Sequence, residues 1–189
     1  VKQGRSGWIS ALGAKGAAKS AAKSRGKRKK RETVGLGCNI YIIVFGGKDL
    51  SLPAQGGEAS LRAVIKVNQK TSMTDEVTPS TTPVWGSQER GRRLGVFPLL
   101  SHEQTFEVAV EAVKEGVGKE VVGSARVALS SLNFRRIEKS TGVTSEPRWF
   151  TLSGASGTAH ESWIQLKVEI YPQTGSELPP KLLGDPPPP

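Results

Sequence analysis

Between residues 35 and 172, apolar and polar side chains alternate in short segments separated by glycine, proline and polar turns. In the segment 105–113, for example, apolar Phe106 and Val108 flank Glu107. A strand has this period of two because successive side chains point to opposite faces of its sheet. The pattern therefore predicts an all-β fold, an eight-stranded antiparallel β-sandwich. The predicted strands are 39–45, 62–70, 84–85, 94–99, 105–113, 121–129, 149–152 and 163–171, with a short helix at 130–137.

Basic residues are concentrated at one end of the chain. Eleven of its 27 Lys and Arg residues and one of its 17 acidic residues lie within residues 1–34, which leaves sixteen of each sign in the remainder. The net charge of +10 therefore belongs to a low-complexity arm, and the rest of the chain is neutral overall. The arm is rich in glycine and has little apolar surface to bury, so we expect it to be disordered alone and ordered only by a partner.

Composition divides the chain into a basic arm at 1–34, a β-sandwich at 35–172 and a Pro-rich linker at 173–189. The chain begins with Val1 and runs into four consecutive prolines, so we expect it to be part of a larger polypeptide. No apolar run approaches the roughly 20 residues of a membrane-spanning helix, and no transmembrane segment is predicted. A single cysteine, Cys38, excludes an internal disulfide and fits the reducing cytoplasm.

Catalytic chemistry is poorly represented in the sequence. The two histidines, His102 and His160, lie in polar loop sequence and neither belongs to a serine or cysteine nucleophile motif. There is no Cys/His spacing typical of a zinc site. The glycines at 35 and 37 precede a strand instead of following one into a helix, so they are not a dinucleotide fingerprint. We therefore predict a non-enzyme with no cofactor and no metal.

Several weak motifs occur in the order in which C2 domains carry them. They are Gly-Lys-Asp-Leu at 47–50, Val-Ile-Lys-Val at 64–67, Thr-Pro-Val-Trp at 82–85, Gly-Lys-Glu-Val-Val-Gly at 118–123, Leu-Ser-Ser-Leu at 129–132 and Trp-Phe-Thr-Leu at 149–152. Residues 36–172 thus resemble a C2 domain, a β-sandwich that in many members docks on phospholipid membranes. We expect Trp85 and Trp149 to pack in the core or at the edge of the sandwich, and Trp163 to pack at the start of the last strand. Cys38 opens a buried strand and is expected to be a small hydrophobe.

The calcium-binding positions of that family are degenerate in this sequence. Calcium-binding members place several aspartates on two loops at one tip, because Ca²⁺ takes about six to eight hard oxygen ligands. The matching positions fall near Gln55 or Gly56 and at Arg62, and then at Ala112, Lys114 and Glu120, of which only Glu120 is a ligand type. We therefore expect no Ca²⁺ at this site.

Three groups of cations are candidates for binding an anionic surface. Arg62, Lys66 and Lys70 are predicted to share one strand face, where the resemblance implies a patch for phosphoinositide head groups or acidic proteins; the alternative is a solvated face whose cations pair with glutamates. Arg90, Arg92 and Arg93 cluster in one predicted loop, which could join Arg135 and Arg136 in a second contact or be an ordinary polar loop. The third group is the run Lys27, Arg28, Lys29, Lys30 and Arg31 in the arm.

This basic run has several interpretations. It could contact acidic lipid, an acidic filament or nucleic acid, act as a nuclear-import signal, or serve as a solubilising linker. Trp8, Ile9 and Leu12 ahead of it could insert into a membrane interface.

The sequence favours a Ca²⁺-independent C2-like docking module, cytoplasmic and peripheral to a membrane or the cytoskeleton, that binds an anionic phospholipid membrane. The alternative is a structural protein–protein module that binds an acidic protein surface in a ciliary, cytoskeletal or other large assembly. Nucleic-acid contact through the arm is a third hypothesis. It ranks below the other two because the sandwich lacks the aromatic pattern of an RNA-binding domain.

Overall fold

Two antiparallel sheets pack face to face in the computed structural model, which describes residues 35–52, 59–154 and 161–183. The strands are β1 (Cys38–Lys48), β2 (Ala59–Val67), β3 (Lys70–Met73), β4 (Arg92–Pro98), β5 (Thr105–Lys114), β6 (Gly118–Ala128), β7 (Phe134–Arg136), β8 (Val143–Ser145), β9 (Arg148–Gly154) and β10 (Ser162–Pro172). The 3₁₀ turns Leu129–Ser131 and Pro180–Leu182 complete the described elements.

The first sheet has the order β4-β1-β10, with β9 and β8 pairing along the far side of β10 and β7 beyond β8. The second sheet has the order β3-β2-β5-β6, and β6 also pairs with β9 through Ser124 and Gly123. Strand β9 therefore joins the two sheets along one side. Every pairing is antiparallel, which confirms the predicted all-β sandwich.

The core forms between the sheets from the apolar positions of the alternating pattern. On β10, Ile164, Leu166, Val168 and Ile170 are at most 1% exposed. The facing strand β2 contributes Leu61 and Ala63 among its own buried residues. Burial of such side chains contributes roughly 25 cal/mol for each Å² of apolar surface removed from water. The period-two pattern thus determines which face of each strand points inward.

Three details of the predicted elements are wrong. The predicted strand at 84–85 is an isolated bridge between Val84 and Gly46. The segment 130–137, predicted to be a helix, contains the end of a 3₁₀ turn and then β7, whose backbone pairs with β8. The predicted strand at 62–70 turns after Val67, since Asn68 adopts a left-handed conformation with φ of 56°. Strand β8 was not predicted either, so the described residues form ten strands where eight were predicted.

Residues 173–183, predicted to be part of a linker, pack against the sandwich. The backbone N–H of Gln173 donates to the carbonyl of Gly37 at 2.7 Å. Leu182 is 6% exposed within the core, and Leu178 and Leu183 pack beside it. The three leucines give this segment enough apolar surface to bury in spite of its prolines.

The predicted packing roles of the tryptophans are only partly right. Trp85 is 1% exposed and Cys38 is equally buried, as predicted. Trp163 is half-buried. Trp149 is 44% exposed because its register partner Gln165 lies on the outer face of the first sheet. Among the described residues, no helix has the length and apolar character needed to cross a bilayer.

Candidate anion-binding site

A groove of about 580 Å³ crosses the outer face of the second sheet. Its charged lining residues are Lys66, Lys119, Arg126, Glu107 and Glu111. Arg62 pairs with Glu111 beside it, and we call the groove together with Arg62 the basic groove. The floor is formed by smaller side chains, including Val64 and Ala109. The groove therefore offers charge around a short apolar floor.

The alternation of β2 explains why these side chains reach the surface. Its odd positions from Leu61 to Val67 face the core, so Arg62 and Lys66 point to the other side. Register then sets their neighbours, because Arg62 lies opposite Glu111 on β5 and Lys66 lies opposite Glu107. Cross-strand neighbours of this kind lie close enough for their side chains to interact.

One end of the groove is a tight ion-pair network around Glu111. Arg62 donates from Nη2 and Nε to the Glu111 carboxylate at 2.9 and 3.1 Å, and Lys119 Nζ donates at 3.0 Å. Arg62 also reaches Glu76 at 3.5 Å. Burial opposes the ionisation of Glu111, but the hydrogen bonds and charges of Lys119 and Arg62 outweigh it and lower the pKa of its carboxyl. Arg62 and Lys119 are thus largely committed to Glu111.

The other end of the groove is less neutralised. Arg126 Nη2 pairs with Glu107 at 2.8 Å. Lys66 lies opposite the same glutamate but has no ion-pair partner among the residues that the structure describes. With Glu76 counted, four cations face three carboxylates, so the surplus positive charge is small and lies near Lys66. Of the three cations predicted to share this face, Arg62 pairs with glutamates, as the alternative expected.

Other predicted site residues lie apart from the groove. Lys70 begins β3 and lies opposite Val67, whose side chain faces the core. Lys70 therefore does not lie on the face of Lys66, and the prediction that the two share a face is wrong. The turn at Asn68 causes this change of face.

The predicted arginine cluster is also divided. Arg90 is exposed in a turn, whereas Arg92 and Arg93 begin β4 and point to opposite sides of it. Arg92 pairs with Asp75 at 3.2 Å. Arg135 lies in β7, at the far edge of the first sheet from β4, so the fold does not bring the two groups of arginines together. The run Lys27, Arg28, Lys29, Lys30 and Arg31 lies outside the described residues.

Three contributors to this surface were missed in the sequence. Lys119 and Arg126 are brought to the groove by β6, whose pairing with β5 is not readable from composition. Val117, in the turn between these strands, is 82% exposed at the same end as Lys119. An apolar residue between two glycines, Gly116 and Gly118, was the available signal for an exposed tip.

Two residues at the positions that match the calcium ligands of C2 domains have other roles in this structure. Ala112 is 1% exposed in the core, and Arg62 is bound to Glu111. Within residues 35–52, 59–154 and 161–183, no three Asp, Glu, His or Cys side chains come together as a metal site. Gln55 and Gly56 lie outside the described residues.

No family model matches the sequence, and no curated protein matches it significantly. The fold does match solved structures. The structure of C2 domain A of plant Extended Synaptotagmin 1 is 16% identical with a TM-score of 0.55, over 74% of this chain and 97% of that domain. Human GIVD cytosolic phospholipase A2 is 11% identical with a TM-score of 0.52, over 74% of this chain but only 18% of the enzyme.

A third match is a calcium-bound structure of C2 domains A and B of Extended-Synaptotagmin 2, 16% identical with a TM-score of 0.50, over 72% of this chain and 46% of that one. This chain thus spans a minor part of the second and third of these proteins. The matches establish the class of fold: the chain folds as a C2 domain, as the order of its motifs along the sequence predicted. Identities this low show the fold alone.

We expect Glu111→Gln to lower the free energy of unfolding at neutral pH by about 2 kcal/mol, since Arg62 and Lys119 lose a shared carboxylate. Because folding lowers the pKa of Glu111, its contribution is present above the unfolded-state value of about 4.3 and is lost as pH falls through the folded value. Urea unfolding at neutral pH and near pH 3 measures both effects. The exposed Glu120→Gln is the control, and an equal loss in both variants at neutral pH would contradict the assignment.

Proposed function

We propose that this domain is a non-catalytic, Ca²⁺-independent docking module that binds the cytoplasmic side of an anionic phospholipid membrane. The observation that carries the proposal is the basic groove, where Lys66 has no described ion-pair partner and an exposed apolar tip, Val117, lies at one end. Head groups would meet the cations, and Val117 would enter the interface.

The energies of these contacts are modest one by one. A Lys or Arg side chain near an anionic leaflet contributes about 1 kcal/mol. Fully burying a valine side chain contributes about 1.5 kcal/mol, the low end of the range for apolar side chains. Since three of the four groove cations already pair with glutamates, the groove alone supports weak binding.

The arm supplies the charge that the sandwich lacks. Residues 1–34 carry the whole net charge of +10, and a polybasic segment is attracted to any anionic leaflet within a Debye length. Each weak contact raises the effective concentration of the other, so the two together bind more tightly than either. In this proposal the arm gives attraction and the groove gives orientation.

Calcium independence is supported by the side chains at the family's ligand positions. Arg62 and Lys114 place positive charge where calcium-binding members place carboxylates, and Ala112 offers no oxygen. Cys38 does not fit the role of a nucleophile, since burial raises the pKa of its thiol, whereas a nucleophile needs that pKa lowered.

The proposal predicts that the full chain floats with vesicles of phosphatidylcholine containing phosphatidylserine and phosphoinositide, and does not float with phosphatidylcholine alone. A variant with Lys27, Arg28, Lys29, Lys30 and Arg31 all changed to Ser should bind at least about tenfold more weakly. Raising the salt from about 50 to 300 mM should weaken the wild type more than this variant. Binding should be equal in about 1 mM Ca²⁺ and in chelator.

Two outcomes would contradict the proposal. Failure of the wild-type chain to float with anionic vesicles at low salt would remove the membrane as the partner. A clear rise in binding when Ca²⁺ is added would remove calcium independence.

A further inference from the structure

The outer face of the first sheet carries an unusual concentration of aromatic side chains. We call it the aromatic face, made up of Tyr41, Arg93, Trp149, Lys167, Glu169 and Tyr171. The chain has only two tyrosines and both lie here, and Trp149 is one of four tryptophans. Trp, Tyr and Arg are the residues that most often dominate the binding energy of protein interfaces.

Arg93 is held in a fixed position on this face. Its guanidinium carbon lies 3.8 Å from the centre of the Tyr41 ring and 5.3 Å from that of Tyr171. The two rings meet edge to face at 82°, with centres 5.7 Å apart. The side chain of Arg93 is nevertheless 48% exposed. A guanidinium that is stacked but open to solvent can donate hydrogen bonds to a carboxylate with little further loss of side-chain entropy.

The charge around Arg93 is unbalanced. Arg93 and Lys167 both pair with Glu169, at 3.4 and 3.1 Å, and the Glu169 side chain is 13% exposed. Tyr171 also donates its hydroxyl hydrogen to Glu169 at 3.2 Å. One carboxylate therefore serves two cations and a hydroxyl, which leaves a positive surplus at the centre of the face.

The other end of the face is apolar. Trp149 and Val84 are 44% and 39% exposed, and they line a groove of about 470 Å³ together with Phe45 and Gln165. The groove offers an aromatic wall beside the amide of Gln165, which can hydrogen-bond to a peptide backbone. It therefore fits an apolar side chain on an extended peptide.

We propose that the aromatic face binds an extended acidic peptide of a partner protein, with a carboxylate on Arg93 and Lys167 and an apolar side chain against Trp149. Strands β9, β10, β1 and β4 are successive, so three strand spacings, about 14 Å, separate Trp149 from Arg93 across the sheet. The two positions are also offset by two residues along the strands, which brings the total distance to about 16 Å. About five extended residues span that distance, which sets the spacing between the apolar and acidic positions.

Charge and position favour this occupant over two others. A second copy in a symmetric contact would bring the positive surplus of one face onto that of the other. A membrane seated on the basic groove would leave the aromatic face, on the opposite sheet, free to face away from it. The inference does not depend on membrane binding, because the two surfaces share no residue.

Panning a displayed library of random 12-residue peptides against the full chain tests this proposal. Enriched peptides should carry Asp or Glu about five positions from an apolar or proline residue. They should bind at least about tenfold more weakly to Trp149→Ser and to Arg93→Gln, and equally well to Lys66→Glu. Thermal melts of each variant test whether the fold is kept, which we expect for Trp149→Ser because it changes an exposed side chain.

The proposal would be overturned by no enrichment, by enriched peptides without acidic residues, by unchanged binding to both face variants, or by loss of vesicle flotation in Trp149→Ser. The last would make the face a lipid contact. Sedimentation that shows a dimer of the wild type but not of Trp149→Ser would instead make it a contact between copies.

Discussion

Replacing Trp85 with alanine should lower the free energy of unfolding by about 4 kcal/mol, the largest loss we expect from a single substitution in this domain. Trp85 is 1% exposed, and its backbone N–H donates to the carbonyl of Phe45 at 2.9 Å. It therefore anchors the long connection between β3 and β4 to the end of β1. The side chain occupies core volume that its neighbours can fill only in part.

The indole nitrogen adds a finer prediction. Trp85 Nε1 is buried without a hydrogen-bond partner among the described residues, so the ring stabilises the fold through packing alone. Trp85→Phe should therefore cost only about 1–2 kcal/mol, since it keeps most of the apolar volume and removes an unpaired donor.

Urea or guanidinium unfolding measures both variants, and Trp149→Ala is the matched control. Trp149 is the same residue type at 44% exposure, and its loss should cost less than about 1 kcal/mol. Equal destabilisation by the two alanine substitutions would contradict the assignment of Trp85 to the core and Trp149 to the surface.

The sandwich was predictable because period-two alternation is a local signal. Ile164 and Leu166 could be assigned to the core from their spacing alone, and both are buried. The order of weak motifs then distinguished one sandwich topology from the others. Neither inference needs knowledge of which strands are neighbours.

The candidate site was less predictable because it depends on register between distant strands. Lys66 was identified from β2 alone, but Glu107 and Arg126, which set its electrostatic surroundings, come from strands about 40 and 60 residues further on. Lys70 was misplaced by a single backbone conformation at Asn68. Trp149 was expected to pack in the core or at the sandwich edge, but its position in the alternation of β9 faces outward.

The second large effect is expected from reversing the least neutralised end of the basic groove. The double substitution Lys66→Glu and Arg126→Glu changes the local charge by four units and places two new carboxylates beside Glu107. An anionic leaflet that attracted this end should then repel it. At about 1 kcal/mol per charge near the surface, apparent affinity for anionic vesicles should fall at least about tenfold.

A matched control separates local from overall charge. Arg136→Glu with Lys181→Glu makes the same change of net charge at two exposed positions outside the groove. Screening confines the effect of a surface charge to about 10 Å at ordinary ionic strength. The control should therefore keep most of the wild-type affinity. Circular dichroism and thermal melts of both variants test whether they are folded.

Vesicle flotation of the wild-type chain and these two double variants tests the central claim most directly. With vesicles containing phosphatidylserine and phosphoinositide, the account predicts that the wild type and the Arg136/Lys181 variant float, and that the Lys66/Arg126 variant stays in the dense fraction. Equal flotation of all three would contradict it, because the basic groove would then take no part in membrane docking.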